Sequence, residues 1–350
     1  MDLQVLQLIR VLGVFLLAFL IALGLEPWFY KLLLKYNFAK QIRGPEDAPV
    51  FHELHKKKAG TPTSGGVVIW ITVLGIAALF FVLNYFFDGF FGYLNFVNRA
   101  ETYLPIAAMG IAAIVGLIDD VMGIKHIGPK GGGLKVRDKL FFYALMSFLG
   151  ALWFYFRLDW DVIVVPFLGA YHVGFWYIAF FMFIISASAF SVNITDGLDG
   201  LSGGVLLFAF TALTAVAFVL HRFNLATFSA AIIGALLAFL WYNVYPAKFF
   251  MGDTGSMALG ITLGTVALLT NTALLLPFFA FIPVIETLSV IAQVISKKLF
   301  GKKIFRSAPI HHHFEAIGWV ESQVTMRFWI IAAIMTVMGL VIFFAARFLS

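Results

Sequence analysis

The chain has 350 residues, 62% hydrophobic and 12% charged, where soluble domains run nearer half apolar and a quarter charged. A mean hydropathy of +0.96 argues against an ordinary soluble domain, and the absence of cysteine excludes disulfides, thiolate nucleophiles and zinc–thiolate centres. The formal charge of +6 points to nucleic acid, anionic lipid or membrane topology, and where the charges fall decides among them.

A transmembrane helix needs about 20 predominantly apolar residues. Ten segments approach that length: 3–25, 67–87, 104–118, 140–156, 175–192, 201–220, 225–241, 255–270, 273–295 and 328–348. The first has no small-x-small cleavage site between Ala22 and Trp28 and is read as a retained helix, not a signal peptide. A transmembrane barrel would show short alternating segments instead. The expectation is one all-α polytopic membrane domain over 1–350, with about ten spans.

Ten spans put both termini on one side. Eighteen of the 24 Lys and Arg residues fall in the connections 1–2, 3–4, 5–6, 7–8 and 9–10. The opposite side holds Arg10, Arg99, Arg157, Arg222 and Arg347, with Arg327 at a span start. The positive-inside rule makes the basic side cytoplasmic and both termini extracytoplasmic. The basic balance is topological in the first instance, and no nucleic acid is needed to explain it.

The remaining polar residues follow the same asymmetry. Asp119, Asp120, Asp138, Asp196, Asp199, Asp253, His311, His312 and His313 all lie on the basic side, whereas Asp88, Glu101, Asp159 and Asp161 on the other side form no comparable motif. Asp119-Asp120 ends the third span, where the helix dipole disfavours anions. The pair is either two solvated acids or a site compensated by a cation. In Asn193-Ile-Thr-Asp-Gly-Leu-Asp-Gly200 the two acids are three apart and would share a face on a helical turn. Thr195 or Asp196 as a simple helix cap is the bland alternative. Phe250-Met-Gly-Asp-Thr-Gly-Ser256 opens the eighth span, and its small residues at a helix start suit phosphate. Asp253 there is an N-cap or a ligand. Mg²⁺ would reconcile an acid with an anion site, since it takes carboxylate and phosphate oxygens.

His311, His312 and His313 are consecutive, so their side chains diverge and a single three-histidine metal site is disfavoured. They are either solvated or in contact with phosphate or carboxylate. Lys58, Lys135, Arg137 and Lys139 bind anionic groups or simply enforce topology. Phe249 and Phe250 are interfacial anchors or stack on a planar base. Glu286 lies inside the ninth span beside Pro283, a candidate helix breaker, and is read as interhelical glue. Lys130-Gly-Gly-Gly133 lacks the strand and helix context of a phosphate-binding loop.

Five motifs in order resemble the polyprenyl-phosphate N-acetylhexosamine-1-phosphate transferase superfamily. They are Gly60-Thr-Pro-Thr-Ser-Gly-Gly66, Leu117-Ile-Asp-Asp120, the Asn193–Gly200 motif, Trp241-Tyr-Asn243 and the Phe250–Ser256 motif. Ser307-Ala-Pro-Ile-His-His-His-Phe-Glu315 resembles the phospho-N-acetylmuramoyl-pentapeptide transferase branch. That resemblance implies transfer of phospho-N-acetylmuramoyl-pentapeptide from UDP-N-acetylmuramoyl-pentapeptide to undecaprenyl phosphate, releasing UMP and forming lipid I for peptidoglycan. It further implies Mg²⁺ dependence, a homodimer in the bacterial cytoplasmic membrane and an active site on the cytoplasmic face. By resemblance, Asp253 is the metal ligand, Asp119 the base or phosphate activator, and Asp120 its support. Asn193, Asp196, Asp199 and Asn243 would line the uridine-diphosphate pocket, with Phe250 stacking on uracil. Lys58 and Lys139 would hold phosphates, and His311, His312 and His313 would complete the site.

The chain departs from the family pattern in Ser64, where Met is usual, in the glycine insertion at 130–133, and in a very short outer loop at 221–224. Two alternatives stand beside this reading. One is a sibling enzyme using UDP-N-acetylglucosamine. The other is a transporter, whose site would sit near the bilayer midplane and not at one face.

Overall fold

The structure, a computed structural model, describes residues 3–39, 58, 60–87, 89–98, 101–128 and 132–349. Lys40, Arg43, Lys56, Lys57, Asp88, Arg99 and Lys130, which entered the topology argument or the motifs, lie outside the described residues.

The helices are α1 (Leu3–Lys35), α2 (Val67–Phe86), α3 (Phe90–Leu94), α4 (Tyr103–Ile124), α5 (Val136–Arg157), α6 (Trp176–Thr195), α7 (Leu201–Val219), α8 (Phe223–Asn243) and α9 (Gly252–Leu269), followed by α10 (Leu276–Phe279), α11 (Phe281–Phe300), α12 (Ile310–Ala316) and α13 (Glu321–Leu349). Among the described residues, eight helices are long and apolar enough to cross a membrane, and the pair formed by residues 273–279 and α11 makes a ninth if counted as one span. The protein is thus an all-α polytopic membrane protein. The α9 helix is the remaining expected span. Every one of its residues except Asp253 is buried, so it is solvated by neighbouring helices and tolerates Thr254, Ser256, Thr262 and Thr265.

Three expectations change in detail. The third span does not stop at Ile118, because α4 runs on to Ile124 and carries Asp119 and Asp120 in its last two turns. The ninth span is not continuous: its two parts meet at 89°. The break falls at Ala280, within the turn before Pro283, as a helix breaker there predicts, and Pro283 itself occupies the first turn of α11. Finally, the outer connection after α5 contains a short antiparallel hairpin, β1 (Val162–Val165) and β2 (Gly169–His172), with Val162 opposite His172. Its β-branched Val-Ile-Val-Val run and the following Pro166-Phe-Leu-Gly169 turn account for it.

Close packing around α9 sets the positions of the polar groups. The helix lies against α4 and α6, while α1 lies against α8. Glycines let these backbones approach. A Cβ on Gly116 of α4 would stand 2.3 Å from the Asp253 carbonyl oxygen, and one on Gly66 would stand 2.4 Å from the Gly255 Cα. A Cβ on Gly234 of α8 would stand 2.2 Å from the Phe15 carbonyl oxygen in α1. Such small-residue contacts are the main means of tight helix association inside a bilayer. Gly116→Ala should therefore push α4 from α9, cost about 1–3 kcal/mol, and be seen as a lower melting temperature in detergent. An unchanged melting temperature would show that this contact does not hold the two helices together.

Candidate active site

The segment 60–66 pairs by backbone with the segment before α9: Phe250 N–H donates to Pro62 O at 2.8 Å, Gly65 N–H to Phe250 O at 2.8 Å and Gly66 N–H to Met251 O at 2.9 Å. This brings Ser64 and the start of α9 onto the end of α4. Asp120, buried, accepts the Asp253 N–H at 2.9 Å on one oxygen. Its other oxygen accepts the Ser64 hydroxyl at 2.9 Å and the Thr254 N–H at 3.3 Å. Asp196 accepts the Gly252 N–H at 3.2 Å. The free N–H groups that every helix start presents are thus satisfied by carboxylates from α4 and from the turn after α6. Gly252 has φ +75°, and a Cβ there would lie 2.5 Å from Asp120 Oδ2, so the position excludes side chains. The simple capping alternative for Asp253 is not what forms: no side chain of its own segment caps α9.

Asp253 is left to face α5 and α6. Its carboxylate bonds Lys139 Nζ on one oxygen and Asn193 Nδ2 on the other. Asn193 also reaches Ser256 Oγ at 2.9 Å. Lys139 pairs with Asp119 at 2.6 Å, so one ammonium bridges the two acids. The second oxygen of Asp119 accepts the Leu134 N–H, delivered by the turn through Gly132 and Gly133, both at positive φ. Gly132 and Gly133 of the glycine insertion therefore shape the turn that sets a backbone donor on Asp119.

A second group lies on the same turn after α6. Lys58 Nζ bonds Asp199 at 2.6 Å and also Glu321 at the start of α13. Glu321 accepts the Asp199 N–H at 2.8 Å, and Asp199 accepts the Ala247 N–H at 3.0 Å. Asp196 and Asp199 do not share a helical face, because α7 begins only at Leu201 and neither side chain caps it. Asn243 commits its amide to the Gly200 N–H at 3.0 Å and the Phe249 carbonyl at 2.8 Å. Phe249 is wholly buried, stacked on Tyr242 at 5.9 Å, whereas the partly exposed Phe250 has Lys58 Nζ 5.6 Å from its ring centre. The two phenylalanines thus separate into core and site.

The three histidines diverge as their adjacency requires. His311 Nδ1 lies 2.9 Å from Glu286 of α11, both fully buried, and its ring packs so closely on Gly197 that a Cβ there would be 2.3 Å from Nε2. His312 Nδ1 pairs with Glu315 at 2.7 Å, and His313 Nδ1 accepts the Arg306 N–H at 3.1 Å. The seat of α12 is aromatic: Phe314 stacks on Trp319 at 4.6 Å, and Trp329 Nε1 donates to Gly200 O at 3.1 Å. Glu321, Glu315 and the Leu134 N–H were not identified from sequence. Glu321 offers no local spacing signal, since its partner Lys58 is 263 residues away.

Among the described residues, no three His, Cys, Asp or Glu gather closely enough to cage a metal unaided. Asp119 and Asp253 converge on one cation, the ammonium of Lys139. They offer oxygen donors only, a set matched to a hard divalent ion that completes its shell with phosphate and water.

The residues from α4 to α9 that build this cluster fall in a stretch, 102–271, that matches the glycosyl transferase family 4 model. The class is that of a membrane-embedded transferase with its polar site at one end of the helices. Over 322 residues the chain is 39% identical to the phospho-N-acetylmuramoyl-pentapeptide-transferase of Thermoanaerobacter sp. (strain X514), covering 91% of this chain and 93% of that one. The relative of the same name from Clostridium novyi (strain NT) is 39% identical over 329 residues, 93% of this chain and 94% of its own. That from Chloroflexus aurantiacus (strain ATCC 29366 / DSM 635 / J-10-fl) is 37% identical over 336 residues, 92% and 86% respectively. The chain belongs to the phospho-N-acetylmuramoyl-pentapeptide-transferase family.

The bonding of Asp120 predicts a structural phenotype. Asp120→Asn would turn an amide toward the α9 N–H groups and cost about 1–3 kcal/mol. Its melting temperature should fall further than that of Asp119→Asn, whose carboxylate caps no helix. Equal melting of the two variants would remove the capping role.

Proposed function

We propose that this protein transfers phospho-N-acetylmuramoyl-pentapeptide from UDP-N-acetylmuramoyl-pentapeptide to undecaprenyl phosphate, yielding lipid I and UMP. The observation that carries the reading is the bridge Asp119–Lys139–Asp253 at one end of the bundle, where soluble and membrane-bound phosphates can meet. An oxygen of the lipid phosphate attacks the sugar-linked phosphorus. The bond between the two donor phosphates breaks, and its electron pair leaves on UMP.

Such a reaction asks for in-line positioning and charge neutralisation more than for covalent chemistry from the protein. Asp119, oriented by the Leu134 N–H, takes the proton of the attacking phosphate. Lys139 turns from the acids to the incoming phosphates, and Asn193 with Ser256 holds Asp253 in place as it does so. Asp253, with Asp119 beside it, would hold Mg²⁺, which supplies counter-charge to the phosphoryl oxygens. Lys58 sits over Phe250 and answers to the nucleotide side, with uracil stacked on the Phe250 ring. His312 and His313, both on α12, would complete the pocket. The basic ends of the helices support a cytoplasmic site in the bacterial inner membrane.

The test is UMP release by purified protein given undecaprenyl phosphate and either UDP-N-acetylmuramoyl-pentapeptide or UDP-N-acetylglucosamine. Release with the muramoyl donor, stopped by EDTA and by Asp253→Ala, is expected. Release with only the other donor would overturn the donor assignment, and EDTA-resistant release would overturn the metal. Glu321 acts through Lys58, so Glu321→Ala should raise the donor KM about tenfold with kcat within about threefold. A fall in kcat with KM unchanged would move Glu321 out of the binding role.

A further inference from the structure

A cavity of about 470 Å³ lies at the end of the bundle away from the acid cluster. The α9 helix spans the distance between them, from Asp253 in its first turn to Thr270 just past its end, which lines the cavity. At 1.5 Å per residue that is roughly 27 Å, close to the ~30 Å hydrocarbon thickness of a bilayer. The cavity therefore sits at headgroup level in the opposite leaflet, which is the extracytoplasmic one on the orientation proposed above.

Its walls combine two chemistries. Phe167 of the hairpin, Leu220, Leu275 and Phe343 are apolar, and Phe167 is 56% exposed at the rim. Arg222 and Arg347 supply positive charge, and no carboxylate is among the lining residues. The Arg222 Cζ lies 5.0 Å from the centre of the Trp160 ring. The Arg222 guanidinium forms no hydrogen bond or ion pair among the described residues. The nearby Glu101 accepts the Leu225 N–H at 3.1 Å. Cations are selected against on the outer side of a membrane protein, and the sequence places only five there. Two of those five line this one cavity.

We propose that the cavity binds an anionic phospholipid, with its phosphodiester on the guanidinium groups of Arg222 and Arg347 and an acyl chain against Leu275 and Phe343. Guanidinium groups suit phosphate because their N–H fork matches its oxygens. With no carboxylate among the described lining residues, none of them pairs with the ammonium of a zwitterionic lipid, so a net negative headgroup is favoured.

The test is native mass spectrometry of the full-length protein, delipidated and then offered phosphatidylglycerol or phosphatidylcholine with identical chains. Wild type should retain phosphatidylglycerol about tenfold over phosphatidylcholine, and Arg222→Gln/Arg347→Gln should lose that preference. Ala346→Trp, which fills the cavity and leaves both arginines, should lose it as well, with folding of each variant checked by its melting temperature. No preference in wild type, or full preference in either folded variant, would overturn the site. Lipid retention is measured without substrates, so a failed transferase assay leaves this result standing.

Discussion

The carboxylate of Asp120 takes up the first backbone N–H groups of α9, and the geometry of the site depends on that contact. It joins the end of α4 to the start of α9, and the Ser64 hydroxyl ties in the segment 60–66. A buried helix start with unanswered N–H groups would be costly in a setting without water. Here the cost is met by an acid from another helix, not by a local cap. The consequence is a division of labour between neighbouring acids. Asp120 and Asp196 satisfy the start of α9, while Asp119 and Asp253 each give one oxygen to Lys139.

The same economy governs the turn after α6. Asp199 accepts the Ala247 N–H and pairs with Lys58, while its own N–H is held by Glu321. Three separate stretches of chain thus meet at one short turn. Gly197 admits the His311 ring beside it, which seats α12 against the same turn. The long bent element α10–α11 reaches this region through Glu286, the buried partner of His311.

Much of this was legible in sequence because it is written in local pattern. Long apolar runs located the spans, and adjacency of the three histidines required them to find different partners. The end of α4 was misplaced because Asp119 and Asp120 lower the local hydropathy while the helix continues through them. Pro283 signalled a break before α11, but not its 89° angle, because an apolar run reads the same straight or folded. The hairpin at 162–172 was passed over because it is too short to stand out beside the spans. Contacts made across the chain left no trace: nothing near Asp120 names the α9 N–H groups, and nothing near Glu321 names Lys58. The glycine run lacked the context of a phosphate-binding loop, and its Gly132 and Gly133 turn instead aims the Leu134 N–H at Asp119. Sequence spacing reports what a helix does to its own side chains, not what a distant segment does with them.

Lys139 has a consequence for how the protein is made. Two acids held together inside a membrane protein would repel each other during folding unless something neutralised them. By placing an ammonium between Asp119 and Asp253, the chain brings its own counter-ion. Assembly in the bilayer can then be completed before any metal or nucleotide is met. In this respect the site differs from a zinc finger, where the ion is part of the folding reaction: here the charge that holds the two acids together belongs to the chain itself.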